Sequence, residues 1–156
     1  MEGLSQLDKY YEFNDDYIKA GGLIGLGLVN SGIKNEFDPV FGLVEEQLNT
    51  NSREIVKIGG VIGLSLTYAG SERDDIFELV SPLILDESFT SSLNATAALS
   101  LGLVFVGTCK EEVAESIVGQ LMSKSAEELE LPFAKLYALG LGLLYLGQQD
   151  KCDAIL

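Results

Sequence analysis

The sequence contains no histidine and no tryptophan, and it holds only two cysteines, three prolines and ten basic residues. Each shortage excludes something. Without histidine there is no imidazole general base, no Ser-His or Cys-His nucleophile and no ordinary zinc site. Cys109 and Cys152 are too far apart in sequence to form a spaced framework, and they read as reduced thiols of an intracellular protein. The shortage of Lys and Arg against 24 acidic residues gives a net charge of −14. That balance excludes nucleic acid and anionic membrane surfaces as partners, because both require clustered positive charge. It favours a basic partner, and it also keeps an extended surface soluble.

Long hydrophobic runs are lacking as well. The apolar stretches 20–29, 95–107 and 136–147 fall short of the roughly 18–20 residues a membrane-spanning helix needs. The opening Met-Glu-Gly-Leu-Ser has no basic region followed by an apolar one, so no targeting segment is expected. The sequon Asn94-Ala95-Thr96 is discounted, since nothing else points to secretion.

What is abundant is glycine, 17 residues in a chain of 156. Its placement is periodic. The segment 22–32, Gly-Leu-Ile-Gly-Leu-Gly-Leu-Val-Asn-Ser-Gly, recurs in register at 60–70, 97–107 and 137–147. Each copy has small residues at its fourth and sixth positions and ends on a glycine: Gly32, Gly70, Gly107 and Gly147, about 38, 37 and 40 residues apart. A period in this range belongs to helical solenoids. The runs are too long for strands. The pairs Gly21/Gly25 and Gly59/Gly63 lie four apart, which lines one face of a helix and admits a neighbouring backbone. The copies therefore read as buried helices, apolar all round, each closed by a glycine in a left-handed conformation.

A second, amphipathic helix is expected after each copy. The first covers 38–49, with Asp38 as N-cap, Pro39 at the first helical position and Val40, Phe41, Val44 and Leu48 on one face. The second covers 72–81, capped by Ser71 and stopped by Pro82. The third covers 111–124, with Val113, Ile117 and Leu121 inward and Glu111, Glu112 and Glu115 outward. The fold class is thus all-α, a helical-hairpin repeat solenoid, with units at about 16–53, 54–90, 91–128 and an incomplete 129–156. The chain reads as a fragment of a longer array, with residues 1–15 a preceding helix or connector and the final residues the start of another helix.

No chemistry stands out. The glycines spell neither Gly-x-Gly-x-x-Gly nor a phosphate-binding loop. The acidic pairs Glu45-Glu46, Asp74-Asp75, Glu111-Glu112 and Glu127-Glu128 fall on exposed helix faces, whereas catalytic carboxylates need a cleft. No enzyme, cofactor or metal site is expected. Near helix N-termini these acids stabilise the helix dipole, yet on successive helices they also stack into an acidic surface. Such a surface suits a small basic partner with an apolar centre.

The repeated Gly-x-x-Gly-x-Gly-Leu…Gly units resemble the proteasome/cyclosome repeats, found in the two largest non-ATPase subunits of the proteasome regulatory particle and in an anaphase-promoting complex subunit. The stretches starting at Gly3, Asp16 and Leu28 look like the branch of that family that sits in the base. The resemblance runs over nearly the whole chain. It implies a curved segment of a toroid, with glycine-rich helices inside and the second helices as outer rim. It also implies a scaffold and receptor of cytoplasm and nucleus. The partners it implies are ubiquitin and polyubiquitin, ubiquitin-like domains of shuttle factors, a deubiquitinase at a separate site, and other base subunits. Carried onto this chain, the contact centres on Asp74, Asp75, Glu78 and Leu79. It is flanked by Glu45 and Glu46 on the first outer helix and by Glu111, Glu112 and Glu115 on the third. The alternative is a purely structural segment that organises other subunits.

Overall fold

The computed structural model describes residues 14–32, 38–50 and 52–148. The expectations for residues 1–13, for 33–37, for Cys152 and for the final helix lie outside them. Every regular element among the described residues is a helix: α1 Asp16–Val29, α2 Pro39–Asn49, α3 Glu54–Thr67, α4 Asp74–Leu85, α5 Ser91–Val104, α6 Glu111–Ser123, α7 Ala126–Leu129 and α8 Ala134–Leu144. The four glycine-rich copies lie in α1, α3, α5 and α8 and the turns that close them, and the amphipathic helices are α2, α4 and α6. No described helix is long and apolar enough to cross a membrane.

The chain divides into two compact units, Met1–Ala69 and Gly70–Leu156. In the first, α1 packs along α3 and α2 lies on α3. In the second, α5 packs along α8, while α4 lies on both α5 and α6, and α6 on α8. α2 and α4 thus rest chiefly on the glycine-rich helix that follows each, while α6 rests on α4 and α8 alike. Val40, Val44 and Leu48 of α2, Ile76, Val80 and Ile84 of α4, and Val113 and Ile117 of α6 form the buried edges of these contacts. Phe41 and Leu121, expected inside, are half-buried.

The glycines act by admitting a backbone. A Cβ on Gly63 would stand 2.3 Å from the Leu23 carbonyl oxygen, and one on Gly27 would stand 2.2 Å from that of Gly63. The second unit repeats the device: a Cβ on Gly102 would lie 2.3 Å from the Gly140 oxygen. The hydroxyl of Thr67 fastens the first pair, 2.9 Å from the Gly63 carbonyl oxygen and 3.4 Å from that of Gly27. On α1 the partners are Ala20, Leu23 and Gly27; Gly21, expected on this face, is exposed and has open space beside it. Burial all round holds for α5. It fails for α1 and α8, whose Leu28, Val29 and Leu139 are exposed.

The closing glycines have φ of +73°, +67°, +74° and +79° at Gly32, Gly70, Gly107 and Gly147, the left-handed conformation expected of them. In the second unit the turns do more than stop a helix. The N–H groups of Gly70 and Glu72 donate to the carbonyls of Leu103 and Val104, at 3.0 and 3.2 Å. Those of Gly107 and Cys109 donate to Leu143 and Leu144, at 3.0 and 3.1 Å. The last carbonyls of α5 and α8, which have no helical donor, are satisfied in this way. Glu72 and Cys109 adopt φ of +57° and +55° to do so, a strain of about 1–2 kcal/mol each for residues with a Cβ.

This backbone pairing displaces the expected caps. Residues 71 and 72 belong to the turn, so α4 starts at Asp74 with Arg73 in the N-cap position, and Ser71 caps nothing. Asp38 precedes α2 but makes no cap bond, since its carboxylate accepts from the Tyr68 hydroxyl. Pro82 does not stop α4, which continues to Leu85. Proline removes one donor, that for the Glu78 carbonyl, and both residues lie on the exposed side, open to solvent. The burial of Leu83 and Ile84 holds the last turn. Asn94 of the discounted sequon is fully buried. Its amide donates to the carbonyls of Leu83 at 2.7 Å and Asp86 at 3.1 Å, closing the end of α4.

Tyr137 of α8 is only 2% exposed, and its hydroxyl has no hydrogen-bond partner. Burial, and then the Glu128 carboxylate, push its pKa up to about 12, an effect that nearby Gln120 partly offsets. Above pH 10 the unfolded chain loses this proton and the folded one keeps it, so stability is lost as pH rises from about 10 to 12. Chemical denaturation across that window should show the wild type losing about 2 kcal/mol more than Tyr137→Phe, which has no proton to lose. Parallel curves for the two proteins would show that the hydroxyl is not desolvated.

Candidate functional site

Two exposed stripes define the outer face of the second unit. On α4, Glu78, Pro82 and Leu85 stand at i, i+4 and i+7 and are all exposed; on α6, Glu115, Gly119 and Met122 do the same. Each pair of equivalent positions is 37 residues apart, so the stripes are copies in one register of the repeat. Each begins with a carboxylate, passes a residue that projects little, and ends with an exposed large apolar side chain. Leu85 is 53% and Met122 82% exposed.

The starts of the two helices are joined. Lys110, in the N-cap position of α6, holds the Asp74 carboxylate at the first residue of α4. Its ammonium also lies 4.7 Å from the Phe105 ring centre and 5.2 Å from that of Phe77. The two rings meet edge to face, with centroids 6.4 Å apart. Asp75 is paired within its own turn. Arg73 Nε donates to its Oδ1 at 3.0 Å, and a second guanidinium nitrogen reaches Oδ2. The hydrogen bonds from Arg73 hold the Asp75 carboxyl below its ordinary range, against the opposing effect of partial burial.

The sequence-derived site residues therefore separate into groups. Asp74 and Asp75 are exposed and engaged by internal cations. The side chains of Glu78, Glu111, Glu112 and Glu115 are exposed, and none makes an ion pair or hydrogen bond among the described residues. Leu79 is half-buried. Glu45 and Glu46 are exposed on α2 of the first unit. Leu85, Met122 and Lys110 escaped the sequence reading. The signal for the first two was the 37-residue register extended past the acids to the ends of the helices. Nothing in the sequence pointed to Lys110, since its partners lie on other elements, on α4 and just past the end of α5. Among the described residues no group of three or more Cys, Asp or Glu is placed to hold a metal ion.

No protein-family model matches the chain. Comparison with known proteins finds it 40% identical over 152 residues to the 26S proteasome regulatory subunit rpn1 of Schizosaccharomyces pombe. It is 46% identical over 152 residues to the 26S proteasome non-ATPase regulatory subunit 2 homolog A of Arabidopsis thaliana. It is 34% identical over 154 residues to the 26S proteasome non-ATPase regulatory subunit 2 of Dictyostelium discoideum. These alignments cover 97 to 99% of the chain, and the chain spans 17% of the length of each relative.

Proposed function

Because this chain belongs to the family of the 26S proteasome regulatory subunits named rpn1 and non-ATPase regulatory subunit 2, we propose that it is a scaffold and receptor segment of the regulatory particle. In this reading it binds ubiquitin, polyubiquitin and the ubiquitin-like domains of shuttle factors, in cytoplasm and nucleus, to deliver substrates for degradation. It sits among the base subunits, and a deubiquitinase docks at a separate site.

The observation that carries the reading is the pair of matched stripes on α4 and α6. Ubiquitin presents an apolar patch ringed by Lys and Arg. The stripes offer the complement: free carboxylates at Glu78 and Glu115, with Leu85 and Met122 one helical stretch beyond. A contact built from two helix faces buries at most about 1,200 Å², the low end of specific interfaces, so binding is weak and sensitive to salt. Glu111 and Glu112 strengthen the field at the start of α6, and Asp74 and Asp75 contribute what Lys110 and Arg73 leave uncompensated. Glu45 and Glu46 provide a second acidic surface on α2.

The test is an NMR titration of labelled protein with ubiquitin at low and moderate salt. Shifts confined to α4 and α6, including Leu85 and Met122 and weakening with salt, are the expected result. No shifts at millimolar ubiquitin would leave the second reading, a purely structural segment, which the backbone-to-backbone packing at Gly27/Gly63 and Gly102/Gly140 favours.

A further inference from the structure

Lys110 is oddly placed for a residue with no role beyond solubility. It precedes the first turn of α6, where the helix dipole disfavours a cation. Its side chain is only 24% exposed, its ammonium lies against the faces of two aromatic rings, and its charge rests on the most exposed acid of the α4 start, Asp74, whose side chain is 77% exposed. A lysine ammonium held by an aspartate beside apolar surface is the same chemistry a basic partner would bring to this face.

We propose that Lys110 is an internal counter-ion that sets the strength of the outer face, occupying Asp74 and lowering the attraction the face exerts on an incoming cation. The assignment rests on the receptor reading for its biological meaning, though not for its electrostatics. The aromatic slot explains why the ammonium stays in place: Phe105 is buried, and the two rings stabilise the cation without neutralising it. Arg73 is the corresponding counter-ion of Asp75, but it neighbours its acid along the chain. Lys110 reaches its acid across 36 residues, from the start of the next outer helix. The free field of the face is then carried by Glu78, Glu111, Glu112 and Glu115.

The experiment measures binding of two probes, ubiquitin and tetralysine, to the wild type, Lys110→Gln, Lys110→Met, Asp74→Asn and the Lys110→Gln/Asp74→Asn pair. Lys110→Met keeps the apolar stem between the rings and so separates charge from packing. At low salt both Lys110 variants should bind each probe about two- to five-fold more tightly than wild type, the range of an exposed ion pair. The gain should be smaller when Asp74 is Asn and shrink with added salt. Affinity that stays unchanged or falls in both Lys110 variants overturns the proposal. So does a gain that persists undiminished alongside Asp74→Asn, or a failure of tetralysine to bind any variant. If tetralysine shows the gain and ubiquitin does not bind at all, the counter-ion assignment stands and the receptor reading falls.

Discussion

Gly63→Ala should destabilise the first unit by about 3 kcal/mol or more, a large part of the stability of a domain this size. The added carbon would stand 2.3 Å from the Leu23 carbonyl oxygen and 3.0 Å from its carbon, so the obstruction is backbone on both helices. A flexible side chain could swing away; here α1 or α3 must shift as a whole. That shift would also pull apart the Gly27–Gly63 contact and the Thr67 hydroxyl that spans it. Urea denaturation followed by circular dichroism provides the measurement. Gly142→Ala is the control: it lies in a glycine-rich helix, is exposed and has nothing within 4 Å of its added carbon. It should gain up to about 1 kcal/mol, the ordinary preference of a helix for Ala over Gly. Equal, small effects at both sites would mean that the helices separate easily and that glycine is not required for the approach.

The second large effect is on binding. On the proposed receptor reading, Glu78→Lys/Glu115→Lys should weaken ubiquitin binding at least about tenfold while leaving the folded state intact. The two acids hold equivalent positions on α4 and α6, are exposed, and make no internal ion pair among the described residues. Reversing them removes attraction and adds repulsion without stranding a buried charge. Asp74→Lys is a poorer probe, because it would set a second ammonium beside Lys110 and disturb the Phe77–Phe105 slot. Isothermal titration at low salt, with circular dichroism as the folding check, gives the result. Unchanged affinity in a folded double variant would remove the outer face of α4 and α6 from consideration, whatever ubiquitin then binds.

Much of this was legible in the sequence, for a physical reason. A helix that packs backbone to backbone must carry small residues at fixed intervals, so the four glycine-rich copies announced the helices and their order before any coordinate. The left-handed closing turns were legible in the same way, since Gly32, Gly70, Gly107 and Gly147 sit where a side chain is costly. The inward faces of α2 and α6 followed from apolar spacing, and the acids that face outward followed from what remained.

The boundaries of α4 and the pairings were not legible, because they are settled by partners distant in the chain. Ser71 has the chemistry of a cap, yet the N–H groups of Gly70 and Glu72 are drawn to the end of α5, and α4 begins two residues after Glu72. Pro82 has the chemistry of a stop, yet Leu83 and Ile84 are buried beyond it. Asp74 and Asp75 read alike as exposed acids, and only the approach of Lys110 from the start of α6 distinguishes them. Periodic positions on a helix are local properties and can be read from one segment. Which carbonyl a turn satisfies, which glycine meets which backbone and which carboxylate keeps its charge free depend on two segments at once, and these only the tertiary structure decided.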